Sequence, residues 1–135
     1  MNKQIFLNLA VEDLQKSRAF FGELGFSFNP KFSNDQAACM VISEHIYAML
    51  LVKPFFQTFT TKTIIDPTQQ VEAITCLSCE SRPEVDDIVA KAVRAGGKTP
   101  RPPQDYGFMY SHGFDDVDGH TWEFVYMDPN AAGAP

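Results

Sequence analysis

Glu123 is the residue best placed to do chemistry in this chain. It lies inside the aromatic run Thr121-Trp122-Glu123-Phe124-Val125-Tyr126, directly after an Asp118-Gly119 turn signal. A carboxylate in such a strand points to solvent or into a site that uses it, because an unpaired buried charge costs several kcal/mol or shifts its pKa. A hairpin closed around the four residues Asp116 to Gly119 sets His112 opposite Glu123, Phe114 opposite Thr121 and Tyr110 opposite Val125. Glu123 and His112 then form an acid/base pair for proton transfer. The same pair also fits a purely structural role, a cross-strand partner that satisfies a carboxylate.

Two other spacings suggest metals, and neither supports one. Cys76-x-x-Cys79 falls within Val71 to Cys79, which reads as a strand. Residues three apart on a strand point to opposite faces, so the two sulfurs cannot share a tetrahedral ion. Asp116 and Asp118 begin like a calcium loop, but the position that would close it is Val125. Cys76 is a candidate nucleophile only if a cation stabilises its thiolate, and the neighbouring sequence supplies none.

The elements that must position these residues fall into two similar halves. Ile5 to Val11 reads as a strand, and Glu12 or Asp13 can cap a helix. Leu14, Ser17, Phe21 and Leu24 make one helical stripe with Phe20 beside it, and Gly25 ends it. Phe26 to Phe32 is extended, and Ala37 to Ser43 with Ile46 to Val52 forms a hairpin around Glu44-His45. After a connector over 54–70 the order repeats. Val71 to Cys79 is a strand, and Ser81-x-x-Glu84 opens a helix with stripe Val85, Ile88, Val89 and Ala92. Gly96-Gly97 stops it, Lys98 to Pro103 is a proline-rich edge strand, and Gly107 to Asp115 with His120 to Tyr126 closes the second half. The class is therefore α+β. A single domain, 1–135, comprises two tandem βαβββ modules, about 1–53 and 71–127, with helices near 13–24 and 82–95 and a loose tail at 128–135. Two such sheets can curl into a half-open barrel with the helices outside and a concave cavity within. Phe55, Phe56 and Phe59 serve as a lid, as core or as dimer packing.

Composition narrows the partners. A net charge of −6 without a basic cluster excludes a nucleic-acid footprint. No apolar run approaches ~20 residues, so no membrane span is expected. A polar start and three cysteines, an odd number, suit a reducing cytoplasm. The 12 Phe suit a rigid core or an apolar ligand pocket.

Val11-Glu12-Asp13-Leu14-Gln15-Lys16-Ser17, Phe20-Phe21, Leu24-Gly25-Phe26, Ala95-Gly96-Gly97-Lys98 and Asp118-Gly119-His120-Thr121-Trp122-Glu123-Phe124 resemble, in order and spacing, the vicinal oxygen chelate superfamily. That group includes glyoxalase I, bleomycin- and fosfomycin-resistance proteins and extradiol dioxygenases, and the chain looks like its bacterial "predicted lactoylglutathione lyase" subgroup. Metal-using relatives take four ligands from strands on the concave face. The resemblance carries these positions onto Phe6, a fourth-strand position without a carboxylate, imidazole or amide, Ile74 and Glu123. Phe and Ile cannot ligate a cation. The expectation is thus no metal, no cofactor and no glyoxalase I turnover. Strand alternation lines the cavity with Phe6, Asn8, Ile74, Cys76, Tyr110, His112, Thr121 and Glu123. Two functions follow. One is a metal-independent isomerase or lyase using Glu123 with His112. The other is a homodimeric protein that binds or sequesters a small molecule.

Overall fold

A computed structural model describes residues 2–130. The chain divides into two compact units, Met1–Ile65 and Asp66–Pro135. Each holds a four-stranded open sheet, and the two sheets share one connectivity. In the first unit β1 (Ile5–Val11) runs parallel to β4 (Ile46–Val52), with β3 (Ala37–Ser43) and β2 (Ser27–Asn29) following antiparallel. In the second, β5 (Thr75–Ser78) runs parallel to β8 (Thr121–Met127), with β7 (Met109–Asp115) and β6 (Gln104–Asp105) following antiparallel. The chain is thus α+β, built from two tandem βαβββ modules.

One helix covers one face of each sheet. Helix α1 (Leu14–Glu23) starts at Asp13, whose carboxylate accepts the Lys16 amide at 3.2 Å. Its stripe of Leu14, Ser17, Phe20 and Phe21 is buried, and Gly25 takes φ 103° just past its end. A short helix α2 (Lys53–Phe56) lies within the expected connector and touches β1 and β4. Helix α3 (Arg82–Arg94) is capped by Ser81, which accepts the Glu84 amide, and buries Val85, Val89 and Ala92. It lies against β7 and β8, whose Phe114, Trp122 and Phe124 are almost wholly buried. Among the described residues no helix is long and apolar enough to cross a membrane.

Several boundaries move. The second extended segment stops at Asn29, because Pro30 opens a 3-10 turn through Phe32. Strand β5 begins at Thr75, so Val71 to Ile74 is not strand. The edge strand is Gln104–Asp105 instead of Lys98 to Pro103. Pro100, Pro102 and Pro103 have no amide to donate, and Lys98 makes only a single bridge to Asp115. Of the expected loose tail, Asp128 is tied by its amide to the Phe108 carbonyl at 2.8 Å, and residues 131–135 lie outside the described residues.

Candidate functional site

The hairpin that carries Glu123 is set by Asp116. This side chain is only 6% exposed. Its Oδ1 accepts the amides of Asp118, Gly119 and His120 at 2.9–3.0 Å, and its Oδ2 accepts the Trp122 indole N–H at 3.0 Å. Burial pushes its carboxyl above the ordinary range, opposed by His120 and by the Trp122 hydrogen bond. The Asp116 amide donates to the His120 carbonyl, and Gly119 sits at φ 103°. Asp116 and His120 therefore form the closing pair of a three-residue loop, Val117 to Gly119. The expected four-residue turn is one residue too long.

That residue overturns the proposed Glu123–His112 pair. Glu123 faces Gly113, and His112 faces Phe124. Successive residues alternate faces, so His112 and Tyr110 lie on the helix side of the sheet and Glu123 on the other. Tyr110 there donates its hydroxyl to Asp86 of α3, beneath the Arg82 guanidinium. Nε2 of His112 lies 2.9 Å from the Arg101 carbonyl and 2.8 Å from the Thr99 hydroxyl. A carbonyl can only accept, so Nε2 carries the proton. Neither Tyr110 nor His112 is a side-chain neighbour of the Glu123 carboxylate.

The opposite face does gather several expected residues. Cys76 pairs with Glu123 across the parallel ladder, and Thr121 lies on the same side. Ile74, immediately before β5, is 52% exposed. Ile74, Thr121 and Glu123 line a cleft of about 270 Å³ within the second unit, and His112 also borders it, from its place on the other face of β7. Its other walls include Arg101, Gln104, Ser111, Gly113 and Asp115, none of which the sequence singled out. Asp115 is engaged, since it accepts the Thr121 hydroxyl at 3.0 Å. The half-buried Glu123 carboxylate accepts no hydrogen bond and forms no ion pair among the described residues. Gly113 is packed closely against it: a Cβ at that position would lie 2.3 Å from the Trp122 carbonyl and 3.1 Å from Glu123 Cγ. Desolvation, and then the Glu123 charge, raise the Cys76 thiol pKa, so Cys76 is not a poised nucleophile.

In the first unit Phe6 and Asn8 share one face of β1 and are both exposed. The Phe6 ring stacks on Tyr47 at 4.9 Å, the residue paired with it on β4.

With this geometry the comparisons can be placed. The family described as bleomycin resistance protein-like N-terminal matches residues 3–43. No curated protein matches. A hypothetical protein, SA1046, from S. aureus superposes with a TM-score of 0.78 at 29% identity over 93% of this chain and 95% of that one. A glyoxalase-related enzyme from Fulvimarina pelagi gives 0.80 at 20% identity over 100% and 96%. The fosfomycin resistance protein FosX from Listeria monocytogenes gives 0.66 at 19% identity over 93% and 91%. The chain has the fold of the vicinal oxygen chelate superfamily. The metal that this superfamily implies does not fit the donors present. Phe6, stacked on Tyr47, and Ile74 offer no lone pair to a cation, and Cys76 beside Glu123 is held as the neutral thiol. Among the described residues no three His, Cys, Asp or Glu side chains gather in a way that could hold a metal ion.

Proposed function

We propose that this protein binds a small molecule, with Glu123 as the anchoring group, and that it sequesters its ligand instead of transforming it. The observation that carries this reading is the Glu123 carboxylate. It stands half-buried in a cleft, opposite a glycine, with no hydrogen-bond or ion-pair partner among the described residues. A ligand that donates hydrogen bonds supplies that partner. Proton-transfer chemistry would need a second group to relay the proton, and His112 is on the wrong face of β7 to do so. The apolar and aromatic residues at the family's ligand positions favour work without a resident metal. A homodimer, as expected from the sequence, and a cytoplasmic setting with three free thiols complete the proposal.

Native mass spectrometry tests it. The chain, incubated with the small-molecule fraction of a cell extract, should retain a compound of a few hundred daltons. Glu123→Gln should keep the fold and lower occupancy by about tenfold or more, as loss of a charge-assisted hydrogen bond does. Equal retention by Glu123→Gln would overturn the assignment.

A further inference from the structure

We propose that the ligand of this cleft is a compact zwitterion, with its amine end on Glu123 and its carboxylate end on Arg101. The proposal rests on the Glu123 reading and adds the second anchor. Arg101 lines the same cleft, and its guanidinium forms no hydrogen bond or ion pair among the described residues. Opposite charges in one cleft normally pair with each other or with a neighbour. Here neither does, so each is available to a ligand. The other carboxylate of the cleft, Asp115, accepts the Thr121 hydroxyl, so Glu123 is the one that a ligand's amine would have to satisfy.

The wall that carries Arg101 is fixed in place. The Arg101 carbonyl accepts Nε2–H of His112 at 2.9 Å, and the Thr99 hydroxyl reaches the Gly113 carbonyl at 3.1 Å. Pro100 and Pro102 flank it and stiffen the strap. His112 is therefore a positioning residue: it acts from the helix side of β7 through the backbone of Arg101. A fixed strap lowers the ordering cost of binding, since the guanidinium starts from a defined anchor. Ile74, Pro100 and Pro102 supply apolar surface for a short ligand body. The volume of about 270 Å³ falls just below the range of drug-sized pockets, roughly 300–1,000 Å³, so the body is short.

Isothermal titration of the full chain with three probes decides the matter: ε-aminocaproate, n-hexylamine and hexanoate. They share a chain length and differ in which charged ends they carry. The zwitterion should bind at least about tenfold tighter than either single-charge probe, because only it engages both anchors. Glu123→Gln should reduce it to the level of hexanoate, and Arg101→Gln to the level of hexylamine. Hexylamine binding as tightly as the zwitterion, and lost in Glu123→Gln, would overturn the zwitterion and leave the Glu123 anchor standing. Hexanoate binding as tightly, unchanged in Glu123→Gln, would overturn both. Binding of none of the three to the wild-type chain would overturn the zwitterion, while retention of an extract compound would still judge Glu123. The wild-type comparison of probes needs no variant, so a misfolded substitution would not rescue the idea.

Discussion

The two sheets share a topology and differ at one rung. In the first, Phe6 of β1, Tyr47 of β4 and Val41 of β3 lie side by side. In the second, Cys76 of β5, Glu123 of β8 and Gly113 of β7 form a rung on the face that the helix leaves uncovered. One rung is filled by stacked rings and a branched aliphatic side chain. The other is drawn close by a glycine and carries a carboxylate. Backbone connectivity was kept through the repeat while the side chains on one face changed from apolar to polar. A βαβββ module therefore tolerates either chemistry on its uncovered face, provided that the helix-covered face keeps its core. Leu14, Phe20 and Phe21 perform that task in one unit, and Val85, Val89 and Ala92 in the other.

The largest expected effect breaks the second sheet without touching the first. Asp116→Ala removes the side-chain acceptor of the Asp118 and His120 amides and of a buried indole N–H, and leaves the Gly119 amide only the residue-116 carbonyl. An unfolding free energy lower by about 3 kcal/mol is expected in urea titration, since each lost buried acceptor leaves a donor unsatisfied. A loss under ~0.5 kcal/mol would show that water replaces the carboxylate and that the turn is not held by it.

A somewhat smaller effect tests the glycine of that rung directly. Gly113→Ala places a Cβ 2.3 Å from the Trp122 carbonyl, so the strands must part locally. About 2 kcal/mol of destabilisation is expected, the usual scale of overpacking. Val41→Ala, beside Tyr47 in the first sheet, removes bulk instead of adding it and should cost less. Equal stability of Gly113→Ala and the wild type would mean that the glycine is incidental.

The smallest effect concerns Cys76. The nearby Glu123 charge opposes thiolate formation there. Neutralising it in Glu123→Gln lowers the thiol pKa, so alkylation of Cys76 by iodoacetamide at fixed, mildly alkaline pH should quicken. The buried Cys39 serves as the control and should not respond. An unchanged Cys76 rate would place the carboxylate too far from the sulfur to matter.

Local periodicity made most of this fold legible in the sequence. The α1 stripe, its Asp13 cap, the Ser81 cap and both hairpins follow from side-chain spacing alone. The Glu44-His45 hairpin lies where the strand pattern put it, with a register shift between Val41 and Ser43. The Asp116 hairpin was read one residue off, because its loop holds three residues, closed by Gly119 in a left-handed conformation, where four were expected, and alternation then reverses every side chain on β7. The signal was present, since Asp at the first position and Gly at the fourth mark a type I turn. Trp122, four residues after Asp118, offered a further clue that a buried acceptor was needed. Arg101 was hidden by its proline-rich setting, which looks like an edge strand and is in fact a strap tied to His112.

The Asp116 turn also bears on how this chain ages. Asp-Gly pairs are the sequences most prone to isomerise, by attack of the glycine nitrogen on the aspartyl side chain. At Asp118-Gly119 that nitrogen donates to both Asp116 Oδ1 and the Asp116 carbonyl, each at 3.0 Å. The closing step also needs a backbone rotation, which the Pro67 carbonyl, 2.8 Å from where a Gly119 Cβ would sit, obstructs. The folded chain should accumulate isoaspartate at this site far more slowly than residues 116–123 as a free peptide. Peptide mapping after prolonged warm storage would measure the ratio, and equal rates would show that the fold gives this bond no protection.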